Sequence, residues 1–158
     1  MTKQLTLEFV SQTLDTNKIE IIKLEINNNL KDSWTVFKHN SVASFKQCLF
    51  RITTIDKQVI YFILENAFML YLEDTIKIKY NGKLYSYVIS ENKNDFILQT
   101  KEKLTQLNNQ LQYLKATNEL NVSSIINSNI DQIMDKMYKH KAIYNFSLQP
   151  KEVSWKEK

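Results

Sequence analysis

From residue 44 to residue 90 short β-runs are joined by polar turns, and beyond residue 90 the apolar period changes to that of a helix. Residues 45–55 read as one strand with Cys48, Phe50 and Ile52 on a common face. Asp56-Lys57 can turn the chain. Residues 59–64, Val-Ile-Tyr-Phe-Ile-Leu, are apolar on both faces, which predicts a central strand covered on both sides. Residues 68–72 follow a break at Glu65-Asn66. Asn81-Gly82 contains the only glycine and stands between two alternating runs, 75–80 and 83–89. That dipeptide predicts a type I′ hairpin, because both central positions of the turn need positive φ. Such a hairpin pairs Ile78 with Tyr85 and Ile76 with Tyr87. These four then share one face, and Lys77, Lys79, Leu84 and Ser86 share the other.

The flanks read less uniformly. In residues 1–16, Leu5, Phe9, Val10 and Leu14 fit helical spacing, while Leu5, Leu7 and Phe9 alternate like a strand. Residues 18–26 are an isoleucine-rich strand broken by Asn27-Asn28-Asn29, and 34–38 form a further short strand. After the polar residues 92–95, which can cap a helix, Ile97, Leu104, Leu107, Leu111 and Leu114 fall on heptad a/d positions with Thr100 among them. This predicts a helix over about 95–116. Residues 117–121 read as a linker. Ser123 or Ser124 caps a second helix, with Val122, Ile126, Ile130, Ile133 and Met137 in one stripe, flanked by Ile125 and Met134. Lys136, Lys139, His140 and Lys141 close it, where cations suit the helix dipole. Residues 142–148 extend as a strand or arm. The expected organisation is one domain over 1–158. It has an N-terminal extension with one or two strands (1–42), a barrel core (44–90), C-terminal helices (95–139) and a flexible tail (149–158).

Composition narrows the class. The chain has 158 residues, 43% of them hydrophobic, enough for a substantial core. Its net charge of +4 is compatible with an anionic partner. Of 21 basic residues all but Arg51 are lysines, which lack the bidentate fork for phosphate or guanine. Cys48 is the only cysteine, so no intrachain disulfide forms and a reducing compartment is expected. The N-terminus has no apolar h-region and no stretch approaches the ~20 apolar residues of a membrane span. The expectation is a soluble intracellular protein.

Catalytic and metal chemistry find little to work with. His39 and His140 lie far apart and, with Cys48, match no metal-ligand spacing. A Cys48–His39 nucleophile pair is conceivable, but a mid-strand cysteine is more commonly a buried structural thiol. One glycine cannot build a phosphate-cradling loop. Glu73-Asp74 reads as a solvated turn. No enzyme, cofactor or metal is expected. Two binding surfaces remain. Lys77, Lys79, Tyr80 and Lys83 combine cations with an aromatic ring, as single-strand nucleic-acid binders do. The competing reading is an edge strand protected by lysines. The stripe Ile126, Ile130, Ile133, Met134 and Met137 is either packed on the chain's own sheet or a surface for a protein partner.

The β-runs followed by helices give a mainly β fold with C-terminal α-helices, a small five-stranded OB-like barrel. The alternative is a pleckstrin-homology-like barrel capped by a helix, an adaptor for phosphoinositide or peptide. A closed five-strand barrel favours the first, two near-orthogonal sheets the second. The β-runs at 45–55, 59–64 and 75–89, the helix near 124–139, and the Lys/Asn/Ile-rich composition resemble the small OB-fold subunit of CST, the replication-protein-A-like telomere complex, in its ciliate telomerase-associated form. The resemblance implies a non-catalytic nuclear subunit that pairs with a larger OB-fold protein. Its assembly would bind telomeric single-stranded DNA, which this chain is expected to hold weakly or only through the complex.

Overall fold

The computed structural model describes residues 3–91, 95–120 and 124–155. Seven strands and two helices follow in order: β1 (Leu5–Val10), β2 (Thr16–Asn27), β3 (Trp34–Val36), β4 (Val42–Thr54), β5 (Val59–Leu72), β6 (Thr75–Ile89), α1 (Asp95–Leu120), α2 (Ser124–Phe146) and β7 (Leu148–Pro150). The chain divides into two compact units: Met1–Val88 with Pro150–Lys158, and Ile89–Gln149.

The first unit is a closed barrel of five strands, β1, β2, β4, β5 and β6. Consecutive members pair antiparallel, and β6 then pairs parallel with β1, from Thr6↔Thr75 to Val10↔Lys79. Geometry requires this. An odd number of strands running alternately up and down can close only with the first and last parallel. The fold is therefore mainly β, a small OB-like barrel with C-terminal helices, and its strands follow one another round the wall. The interior is filled by side chains, as small barrels require. Leu7, Phe9, Phe50, Ile52, Phe62, Met69, Ile76 and Ile78 are all buried in it. The Phe9 and Phe62 rings lie 4.9 Å apart and the Phe50 and Phe62 rings 5.2 Å apart. Residues 60–64 are buried throughout, so both faces of this strand are covered as its sequence predicts.

The N-terminal region is not an extension. β1 and β2 form two of the five walls, so the ambiguous segment 5–10 is strand. Alternation wins there because Leu5, Leu7 and Phe9 all enter the core. Asn27 ends β2 by accepting the backbone N–H groups of Asn29 and Leu30 on its Oδ1, at 3.2 and 2.6 Å.

Asn81-Gly82 does not turn the chain. β6 runs through it, with Gly82 at φ 78°. The ladder between β5 and β6 shifts register on both sides of Glu65↔Asn81, beside Asn66 at φ 49°. Positive φ is used here for bulges, which bend long strands round a narrow barrel. The two-residue turn is Glu73-Asp74 instead, with Leu72 paired to Thr75 and Glu73 at φ 54°. The Thr6 N–H donates to the Asp74 carbonyl at 2.9 Å, fixing this turn beside β1. Because β6 is one strand, its alternation is never reflected. Ile76, Ile78 and Tyr80 point inward and Leu84 packs on the same core. The odd-numbered positions share the opposite face, so Tyr85 and Tyr87 lie with Lys77 and Lys79, not with Ile76 and Ile78.

The second unit is a helical hairpin in which α1 and α2 pack together. The Asn118 side-chain amide donates to Asn127 Oδ1 at 3.0 Å near its turn. Both helices outrun their sequence-predicted ends. α1 continues through the expected linker to Leu120, and α2 includes the expected arm as far as Phe146. Ala142 and Ile143 are buried, which gives that segment a helical face to satisfy. Lys136, Lys139, His140 and Lys141 thus sit inside α2, whose last turn holds no basic residue. Ser147 at φ 52° ends it. The capping positions 92–94 and Ser123, together with Val122, lie outside the described residues. No described helix is long and apolar enough to cross a membrane.

The segment after β7 returns to the barrel. The Lys151 N–H donates to the Ser86 carbonyl at 3.0 Å. Val153 and Trp155 pack on the barrel core. Residues 150–155, expected to be a flexible tail, are part of the first unit because they carry apolar side chains that the core accepts.

Candidate interaction surfaces

The β6 surface differs from its sequence reading in one residue. Lys77, Lys79 and Lys83 are exposed. Tyr80 is buried, its ring 6.2 Å from that of Phe9, so it has no face to offer a nucleic-acid base. Its even position on an unbroken strand puts it inside. The aromatic ring beside the lysines is Phe68, directly opposite Lys79 across the ladder and 42% exposed. Lys77 stands opposite Leu70. Tyr85 is exposed on the same face. Tyr87 is buried, and burial followed by the neighbouring Tyr85 pushes its phenol above the ordinary range. The structure thus keeps a basic and aromatic surface there, with Phe68 where Tyr80 was expected. The signal was in the register, not the composition: Phe68 faces Lys79 only if Glu73-Asp74 is the turn.

The helical stripe is also redistributed. Ile126, Ile130 and Ile133 are half-buried and Met137 is buried, while Met134 is half-exposed. Met137 is accordingly core and not available to a partner. The most exposed large apolar side chains among the described residues of the two helices are Tyr113, Leu120 and Ile125, at 72%, 89% and 72%. They lie toward the end of α1 and the start of α2. An apolar cleft of about 460 Å³ is lined by Asn109, Gln110, Tyr113, Leu114 and Ile133, so of these three only Tyr113 borders it. Heptad reading finds a seam but not the positions left outside it.

The structure does not bring the Cys48–His39 pair into a site. Cys48 lies in the barrel core, where burial pushes its thiol up to about 12, far from a reactive thiolate. The His39 ring packs edge-on against Tyr71 at 5.3 Å. Glu73-Asp74 is a solvated turn, as read. Among the described residues no group of three or more His, Cys, Asp or Glu side chains is placed to hold a metal ion.

One polar cluster escaped the sequence reading. Arg51 on β4 donates from Nε and Nη2 to the two carboxylate oxygens of Glu25 on β2, at 3.1 and 3.3 Å. Its guanidinium lies 4.1 Å over the Trp34 ring, and Trp34 meets Tyr61 edge-on at 5.7 Å. Burial alone would raise the Glu25 carboxyl, but the Arg51 and Lys23 contacts outweigh it and hold the group below its ordinary range. The available signal was the lone arginine in a chain that otherwise uses lysine.

Residues 4–85 match a family model described as the UU051 N-terminal domain. The match covers more than half the chain, from β1 into β6, and so spans the barrel walls. The comparison with curated proteins found no match.

Proposed function

The chain belongs to the UU051 N-terminal domain family, and we propose that it is a non-catalytic subunit that docks a larger protein through its helical hairpin. The observation that supports this reading is the exposure of Tyr113, Leu120 and Ile125, with Tyr113 lining an apolar cleft. Single exposed apolar residues are ordinary, but a group of large ones next to a cleft is characteristic of a partner surface. Tyr113 and Leu120 are exposed to 72% and 89%, so little of either side chain is buried between α1 and α2.

The resemblance gives the reading its finer form. The partner is then a larger OB-fold subunit of a CST-like, telomerase-associated complex, nuclear and bound to telomeric single-stranded DNA. Lys77, Lys79 and Lys83 with Phe68 support the DNA part, through a few phosphate contacts and one stacking ring. The closed barrel is the arrangement expected of this reading over the pleckstrin-homology-like one.

The test is co-purification from the native cell with two double variants. Leu120→Asp with Ile125→Asp should leave the melting temperature unchanged and release the partner. Ile130→Asp with Met137→Asp should unfold the hairpin, because Met137 is core. Retention of the partner by the folded first variant would contradict the docking site. For the DNA part, Lys77→Ala with Lys79→Ala should lower the slope of log K against log salt on single strands by ~1.4, at ~0.7 per phosphate contact. An unchanged slope would remove β6 from the DNA reading without touching the hairpin.

A further inference from the structure

The parallel pairing of β1 with β6 stops at Val10↔Lys79, while β6 continues to Ile89. β1 has six residues and β6 has fifteen, so the closing strand is too short to cover its neighbour. The edge that β1 leaves is taken by β7, which pairs with β6, and by the residues that follow it to 155. The Lys151 N–H donates to the Ser86 carbonyl at 3.0 Å, and the Ser86 hydroxyl donates back to the Lys151 carbonyl. Val153 and Trp155 then pack on the core, with Trp155 5.5 Å from the Phe9 ring and 6.4 Å from the Phe62 ring. Glu152 and Ser154 alternate outward. This has the pattern of strand addition to an edge: a main-chain hydrogen bond at Lys151 holds the segment, and the alternate side chains Val153 and Trp155 pack inward.

The seat is not closely fitted. Clefts of about 550 Å³ and 500 Å³ flank the segment, and residues 151–153 and Trp155 line both. Glu20, Asp56 and Gln58 stand on the barrel side of the larger one. Removing the segment would join the two clefts into one groove with Phe9 and Phe62 at its floor.

We propose that this groove is a peptide-binding site occupied in cis by the chain's own strap. In trans it takes an extended segment of a partner protein that carries a lysine, a β-branched apolar residue and an aromatic residue at successive alternate positions. The present occupant defines that chemistry: Val153 and Trp155 fill the apolar floor, and Lys151 lies in a cleft with two carboxylates on its barrel side. The site is separate from the hairpin surface, so the failure of either leaves the other standing.

The experiment uses the full chain and a fluorescent peptide of the sequence 148–155. Trp155→Ala should bind this peptide at least ~10-fold tighter than the unsubstituted chain, because a tethered strap competes at an effective concentration near millimolar. Replacing the peptide's own tryptophan by alanine should weaken binding by a similar factor. Equal binding by both chains, or no binding by a folded Trp155→Ala, overturns the proposal. If Trp155→Ala does not fold, the unsubstituted chain decides it. Excess peptide should strip hydrogen-exchange protection from the Lys151 amide, and full protection at saturating peptide overturns it. A mass that doubles with concentration through exchange of this strap also overturns it, since the occupant would then be a second copy.

Discussion

Arg51 is the one guanidinium among 21 basic side chains, and it sits where an ammonium could not do the same work. It forks onto both oxygens of Glu25 and lies over the Trp34 ring. Lysine has neither the fork nor the planar face. Arg51→Lys should therefore cost ~1 kcal/mol, measured as a drop in the urea midpoint, while lysine-to-arginine changes elsewhere on the surface move it little. Two residues contribute to the acid side of the stability profile. Burial, then the charges of Lys103 and Lys139, lowers the His140 pKa below its ordinary 6.5. The unfolded chain then takes up that proton more readily than the folded one. Stability is full above about pH 6.5 and falls as pH drops from there toward the lowered folded value. Glu25 is also lowered, so its contribution persists to lower pH and is lost as the pH falls through its depressed folded value. His140→Gln should flatten the first decline and leave the second, as read from urea midpoints across the acid range.

The elements show where sequence reading is strong and where it fails. The heptad spacing of Ile97 to Leu114 and the stripe from Ile126 to Met137 made both helices legible, because a helix face is a local pattern. Cys48, Phe50 and Ile52 were legible as a core face for the same reason. Asn81-Gly82 was misread because positive φ is the same local signal in a turn and in a bulge, and only the register tells them apart. The Glu73-Asp74 turn carries no such signal. It is held by β1, which lies some seventy positions earlier in the chain. The misreading moved Tyr80 to the surface and hid Phe68, so the candidate site inherited the error. Gly82 offers a direct check. A Cβ there meets nothing within 4 Å, so the cost of Gly82→Ala comes from φ 78° alone. The expected loss is ~1 kcal/mol, and Gly82→Asn should lose less, since asparagine tolerates this region. A steric clash would show instead as a loss that grows with side-chain size.

At the scale of the whole chain, the barrel depends on joining distant segments. Residues 5–10 close against 75–79, and residues 150–155 finish the core. Alternation cannot reveal either event, since it specifies a face and not a neighbour. The family match ends at residue 85, yet Trp155 lies against Phe9 and Phe62 inside the matched span. Phe9 is the meeting point. It is fully buried on β1 and its ring is within 6.2 Å of Phe50, Phe62, Tyr80 and Trp155. Those partners come from β4, β5, β6 and the strap, so this side chain ties the closing strand to the rest of the barrel. Phe9→Ala should cost ~3–5 kcal/mol, a large share of the ~5–15 kcal/mol typical of a domain. Tyr113→Ala, on the hairpin surface, should stay within ~0.5 kcal/mol. Urea unfolding followed by near-ultraviolet dichroism separates these outcomes. A midpoint for Phe9→Ala close to that of the unsubstituted chain would mean that β1 does not close the barrel, and the parallel β1–β6 pairing would have to be given up.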